Sequence, residues 1–173
     1  ANRLDKRFET EVIENEVAVG DMLIKRIDTP HDAAESCCYS VTLADGKIAT
    51  VATDMGYMTD DVRNAVAHSN FAVIESNHDV DMLKNGPYPF VLKKRILSKY
   101  GHLSNPDCAA ELAGLVQSGT LRLMLGHLSE ENNTVPLAMS TSVDLLTSNG
   151  MKYKSDYSLD VAPSVSTTKA IIF

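Results

Sequence analysis

Five histidines, His31, His68, His78, His102 and His127, are spread along a chain of 173 residues. Three side chains able to bind a metal stand just past strand-like runs. His31 follows a run ending at Asp28, Asp54 follows the apolar run 48–52, and His127 follows the apolar run 121–125. Loops at such places are positioned by a rigid scaffold and often carry function. Neutral imidazole and carboxylate suit zinc, and they also suit manganese or iron. The bland alternative keeps Asp54 in a turn and His127 as a cap for the next loop. Thr53-Asp54-Met55-Gly56-Tyr57 places a carboxylate between a strand and a glycine turn. One bridging carboxylate can clamp two metals about 3.5–4 Å apart. Polar residues follow His127 in Ser129-Glu130-Glu131-Asn132-Asn133, and such neighbours can fix the tautomer of a ligand.

The elements that must position these residues alternate along the chain. Residues 17–19 and 22–28 read as a hairpin around Gly20-Asp21. Residues 38–44 and 47–53 flank Asp45-Gly46, the strongest short-range hairpin signal. Thr59 caps a helix over 60–68, and 71–75 is a short buried strand. After Pro87 and Pro89 comes a helix of roughly 90–99. Ser104 or Asn105 caps a helix running to about Gln117, followed by a strand over 121–126. Thr134 caps a helix over 135–148, with Gly150 placed as a C-cap glycine. Strands over 157–162 and 169–173 finish the chain. Hairpins followed by alternating helix and strand predict one α/β (α+β) domain over 1–173, a sheet covered by helices.

Composition narrows the function. No run approaches a membrane span, and the charged N-terminus lacks the apolar core of a signal peptide. Three cysteines, two of them adjacent, make a poor disulfide framework and suggest a reducing cytoplasmic setting. A net charge of −7 argues against a surface that binds nucleic acid everywhere. Yet Met82–Gly101 carries Lys84, Lys93, Lys94, Arg95 and Lys99 and no Asp or Glu. Such a segment can hold a phosphate backbone locally, or it can be a solvated helix face. An oligomer is compatible with this composition.

Five words fall in one order: Pro30-His31-Asp32-Ala33-Ala34-Glu35, Thr53-Asp54-Met55-Gly56-Tyr57, Glu75-Ser76-Asn77-His78-Asp79, Gly101-His102-Leu103-Ser104-Asn105 and Gly126-His127-Leu128-Ser129-Glu130-Glu131-Asn132. Together they resemble the metallo-β-lactamase superfamily, close to its YycJ/WalJ group of exonucleases, from about Arg7 to Phe173. The resemblance implies part of a four-layer αββα sandwich and two divalent ions, zinc or manganese, with iron as a further option. It implies His31 and His127 as metal ligands and Asp54 as the bridging carboxylate. His102 resembles a histidine that contacts the scissile phosphate and protonates the leaving oxygen. His78 is expected to touch phosphate or orient a ligand, with Glu75 as its partner. Lys93, Lys94, Arg95, Lys99 and Ser104 are the expected substrate contacts, and the substrate is expected to be nucleic acid, DNA before RNA. His68 matches no word.

One departure is large. The superfamily's His-x-His-x-Asp-His word is absent, so the chain is expected to be a C-terminal portion that needs an N-terminal metal-binding segment and is inactive alone. Ser36-Cys37-Cys38-Tyr39 also replaces the commoner Pro-Val-Gly-Tyr. Two other readings remain open: hydrolysis of a thioester, lactone or lactam on the same fold, and a metal-free interaction module.

Overall fold

The computed structural model describes residues 12–164. Seven strands form one mixed sheet whose order follows the chain. They are β1 (Glu16–Val19), β2 (Met22–Asp28), β3 (Cys37–Thr42), β4 (Ile48–Ala52), β5 (Phe71–Glu75), β6 (Arg122–Gly126) and β7 (Ser158–Val161). Helix α1 (Asp60–Val66) joins β4 to β5. Helices α2 (Val80–Asn85), α3 (Phe90–Ile96) and α4 (Asn105–Gln117) lie between β5 and β6, and α5 (Val135–Ser148) lies between β6 and β7. The strand expected at 169–173 lies outside the described residues. No helix among the described residues is long and apolar enough to cross a membrane.

Strand direction decides where the chemistry gathers. β1, β2, β3 and β4 pair antiparallel in turn, and β4, β5, β6 and β7 pair parallel. Two reversals bring β2 into the direction of β4. The C-terminal ends of β2, β4, β5, β6 and β7 therefore share one edge, and the loops carrying His31, Asp54 and His127 leave from it beside Glu75, the last residue of β5. The turns behind this arrangement need glycine: Gly20 and Gly46 adopt φ of 62° and 81°.

Strand alternation sends one set of side chains into a single core. Ala52, Ala72, Ile74, Leu123, Leu125 and Leu159 pack with Val62 and Val66 of α1, Leu112 and Leu115 of α4, and Leu146 of α5. The opposite set is less covered. Tyr39 pairs with Val51 on that face, and they are 40% and 47% exposed.

Most elements lie where the sequence places them, and the differences have local causes. α2 is absent from the sequence reading because only Leu83 of its six residues is buried, so no apolar period shows. Asp79 caps it, accepting from the Met82 N–H at 2.8 Å. α3 ends at Ile96 instead of continuing to 99. The Gly101 N–H bonds to Ser98 O and the His102 N–H to Ile96 O, which turns the chain back toward the sheet edge. α1 stops at Val66, and His68 adopts a positive φ of 66°.

Gly101 is held tightly in that turn. A Cβ there would collide with the carbonyl oxygens of Ile96 and Arg95. Gly101→Ala is expected to destabilise the fold by about 1–3 kcal/mol, the usual cost of overpacking. Urea unfolding measures it, and an unchanged midpoint would show that the turn has slack.

Candidate metal centre

Each candidate ligand is held from the backbone outward. Asp54 and His127 both adopt left-handed backbone, φ 57° and 56°. Non-glycine residues rarely do so, and the strain persists only where neighbours fix the chain. After Asp54, the Met55 N–H bonds to Glu75 Oε2 at 2.9 Å and the Gly56 N–H bonds to Pro30 O at 3.0 Å. Around His127, the Ser76 N–H bonds to Gly126 O at 3.0 Å and Asn77 Nδ2 donates to His127 O at 2.9 Å.

Three imidazoles are tied at Nδ1. His31 Nδ1 lies 2.8 Å from Gly101 O. His102 Nδ1 and His127 Nδ1 lie 2.7 and 2.8 Å from the same oxygen, Glu75 Oε1. Because carbonyl and carboxylate oxygens only accept, each Nδ1 carries the proton, and each neutral ring keeps its Nε2 lone pair. Those lone pairs converge. His31 Nε2 and His127 Nε2 both lie 3.8 Å from Asp54 Oδ1. The ring centres of His31 and His102 are 4.7 Å apart, and those of His102 and His127 are 5.2 Å apart. Ligand-type atoms of His31, Asp54 and His102 lie within 4.8 Å of one another, as do those of Glu75, His102 and His127.

Glu75 is 0% exposed, yet it is satisfied by His102, His127 and the Met55 N–H. Burial alone would raise its pKa, but these hydrogen bonds outweigh burial and hold the carboxyl below its ordinary value. The hydrogen bond that His127 donates to Glu75 raises the pKa of His127 in turn. With both oxygens engaged, Glu75 orients the histidines; it has little left to offer an ion.

A buried amide cluster lies behind the loops. Asn133 Nδ2 reaches Ser76 O at 2.8 Å and Asn77 O at 3.0 Å, and Asn105 Nδ2 donates to Asn133 Oδ1 at 2.9 Å. Ser76 Oγ donates to Asn105 Oδ1 at 2.7 Å. These bonds join the loop after β5 to the first residue of α4 and to the residue just before the cap of α5, and so brace the backbone that Asn77 holds at His127. Asn77 carries no role in the sequence reading, although it lies within one of the five words. Asn133 closes the polar run that the sequence reading sets after His127, and its amide bonds to the backbone of the loop after β5.

The centre opens into a cavity of about 420 Å³ lined by His31, Asp54, His102, His127, Tyr88 and Arg95, among others. Other expected site residues lie elsewhere. His78 is 1% exposed, and both its ring nitrogens lack a hydrogen-bond partner. Its expected partner, Glu75, serves His102 and His127 instead. Burial lowers the His78 pKa. Ser104 is buried as the cap of α4, with its hydroxyl bonded to Asp107. Arg95 grips both carboxylate oxygens of Asp32 through Nε and Nη2. Lys93 Nζ donates to Lys84 O at 2.7 Å, while Lys94 and Lys99 are exposed. Asp32 is a second residue without a role in the sequence reading, and its Oδ1 lies 3.5 Å from His31 Nε2.

The Glu75 contacts set a pH window for the metal-free protein. A carboxyl lowered on folding stabilises above its ordinary value of 4.5, and that contribution is lost as pH falls. An imidazole raised on folding stabilises below its ordinary value of 6.5, and that contribution is lost as pH rises through the raised value. Stability should therefore be greatest between these limits and should fall on either side. Glu75→Gln should flatten the profile and lower stability by about 1–3 kcal/mol through unsatisfied buried groups. Denaturation midpoints from pH 3 to 9 are the measurement, and parallel profiles for the two proteins would refute the account.

No family model matches the chain. Over 131 residues it is 38% identical to the exodeoxyribonuclease YycJ of Bacillus anthracis, covering 76% of the chain and 49% of the relative. Over 149 residues it is 37% identical to the exodeoxyribonuclease WalJ of Streptococcus pneumoniae serotype 2, covering 86% and 55%. The chain thus spans about half the length of these curated relatives. Among solved structures, the metallo-beta-lactamase fold protein YhfI of Bacillus subtilis matches with a TM-score of 0.62 at 13% identity, covering 89% of this chain and 51% of that one. Zn(2+)-bound PqqB of Methylobacterium extorquens matches with a TM-score of 0.52 at 12% identity, covering 89% and 52%. The chain is therefore a homologue of the YycJ and WalJ proteins and has the metallo-β-lactamase fold.

Proposed function

We propose that this chain supplies part of the metal site and the proton donor of a phosphodiesterase that cuts DNA from an end. One observation carries the reading. Two imidazoles whose Nδ1 atoms are already engaged aim their free Nε2 atoms at a single carboxylate oxygen, each 3.8 Å away. A structural histidine needs no such convergence, and three in one cavity are costly to hold together unless something lies between them.

The donor set fits divalent ions. His31 and His127 would each give Nε2, and Asp54 would give an oxygen to both ions; zinc and manganese suit these atoms, and iron does so as well. When bound, such ions lower the pKa of water from 15.7 toward about 7 and stabilise charge on a phosphoryl group. Three ligands cannot fill two coordination shells. The reading therefore requires further ligands from polypeptide outside these 173 residues, and the chain alone is expected to be nearly inactive.

The chain's own residues perform the rest. Hydrolysis forms a bond from water oxygen to phosphorus and breaks the bond to the leaving oxygen, which must gain a proton. His102 supplies that proton from Nε2 when its ring is in the protonated form. Its Nδ1–H donates to Glu75 Oε1, which fixes the orientation of the ring in the cavity wall. Arg95 stands in the cavity wall with its charge neutralised by Asp32, so it presents a rigid edge and not a free cation. The DNA assignment rests on the relatives' names, since both are exodeoxyribonucleases.

Two measurements test this. Equilibrium dialysis against zinc or manganese should show metal uptake that Asp54→Asn and His31→Ala reduce by at least an order of magnitude. With the complementary polypeptide present, a bis-aryl phosphodiester should be hydrolysed and a thioester should not, and a chelator should abolish activity. His102→Ala should keep its metal and lose roughly 10²–10⁴-fold in kcat, the usual contribution of a proton donor. Thioester cleavage without diester cleavage would replace the phosphodiesterase reading with an ester hydrolase on the same fold.

A further inference from the structure

Helix α3 has two working faces. Leu92, Arg95 and Ile96 line the metal-centre cavity. Phe90, Lys93, Lys94 and Leu97 line a second hollow of about 570 Å³ together with Lys84 and Ser98. Large apolar side chains are unusually bare here. Phe90 and Val91 are each 79% exposed, Leu97 is 45% exposed, and Tyr100, just beyond the helix, is 62% exposed. The same stretch, Met82–Gly101, has no Asp or Glu although the chain carries a net charge of −7.

We infer that this outer face of α3 binds an unpaired DNA strand, with bases stacked on Phe90 and Tyr100 and phosphates against Lys84, Lys94 and Lys99. The inference rests on the phosphodiesterase reading for the strand's direction of travel into the site. The argument is one of combined chemistry. Lysines on an acidic protein select a polyanion at this one place. Phosphates alone would not call for exposed rings. Bases offer flat faces to rings, and stacking on aromatic side chains tolerates any sequence. In a duplex those faces are covered by neighbouring pairs, so only an unpaired strand can use both features together. Arg95 does not join the lysines, because Asp32 already holds it.

Fluorescence anisotropy with the purified protein and a chelator, so that no strand is cut, tests the assignment. The probes are a labelled 20-mer of thymidine and a 20-base-pair duplex. The single strand should bind more tightly, and Phe90→Leu and Tyr100→Ala should each weaken it roughly tenfold, as loss of one stacked base does. Phe90→Trp should bind as well as the parent, since a ring is retained. Lys94→Gln should lower the salt slope of single-strand binding by about 0.7, the share of one phosphate. Equal losses on duplex and single strand, or a Phe90→Leu protein that binds like the parent, would overturn the inference. So would unaltered DNA binding with a change in sedimentation coefficient, which would make the patch a protein interface. Metal uptake is read separately: if it is intact while strand discrimination fails, this inference falls and the phosphodiesterase reading stands. If metal uptake fails while strand discrimination holds, the reverse is true.

Discussion

The centre depends on one buried charge. Glu75 brings a carboxylate to 0% exposure at the end of β5, where an unpaired ion would be very costly. Its cost is offset by the hydrogen bonds it accepts, from the rings of His102 and His127 and from the Met55 N–H. The same bonds fix the tautomer of both rings and place the backbone just after Asp54. Removing the charge would free two imidazoles and one loop together, so ligand geometry and local stability are linked through a single side chain. This is a high-stakes arrangement, favourable only while every member is satisfied.

The sheet topology makes such a group available. Parallel β4, β5 and β6 deliver their C-terminal ends side by side, and Glu75 ends the middle one. Its neighbours then supply Asp54 on one side and His127 on the other. Gly126 precedes His127 with Val73 so close that a Cβ would sit 2.8 Å from its Cγ1. A side chain there would push β6 away from β5 and lengthen the bond between His127 and Glu75. The left-handed backbone at Asp54 and His127 belongs to the same picture. Each loop must reverse at once to keep its side chain at the edge, and the amide cluster around Asn133 holds the reversal at His127.

What the sequence made legible was local. Asp45-Gly46 marks its hairpin, and Thr134 and Gly150 bound α5, because capping and turn chemistry act within a few residues. His31, Asp54 and His127 were visible as residues just past strands, which is also a local property. Partnership was not legible. Glu75 lies three residues from His78, yet its partners are 27 and 52 residues away. His78 points into the interior with neither nitrogen engaged, and spacing carries no information about that direction. Charge runs mislead in the same way. Arg95 reads as one of five cations, and only the folded chain shows that Asp32 has claimed it.

α3 and the His31 loop are joined by several direct contacts. Arg95 grips Asp32, the Asp32 N–H bonds to Tyr100 O at 3.1 Å, and His31 Nδ1 reaches Gly101 O at 2.8 Å. Three contacts of different kinds thus tie Arg95 of α3, and Tyr100 and Gly101 in the turn after it, to His31 and Asp32 in the loop after β2. The turn at Gly101, which accepts the His31 contact, is itself closely packed and has no room for even a methyl group. Rigid coupling of this sort favours catalysis by positioning, in which reacting groups are held in place before the substrate arrives. The outer face of α3 and an imidazole of the candidate metal centre thus belong to one contiguous set of contacts.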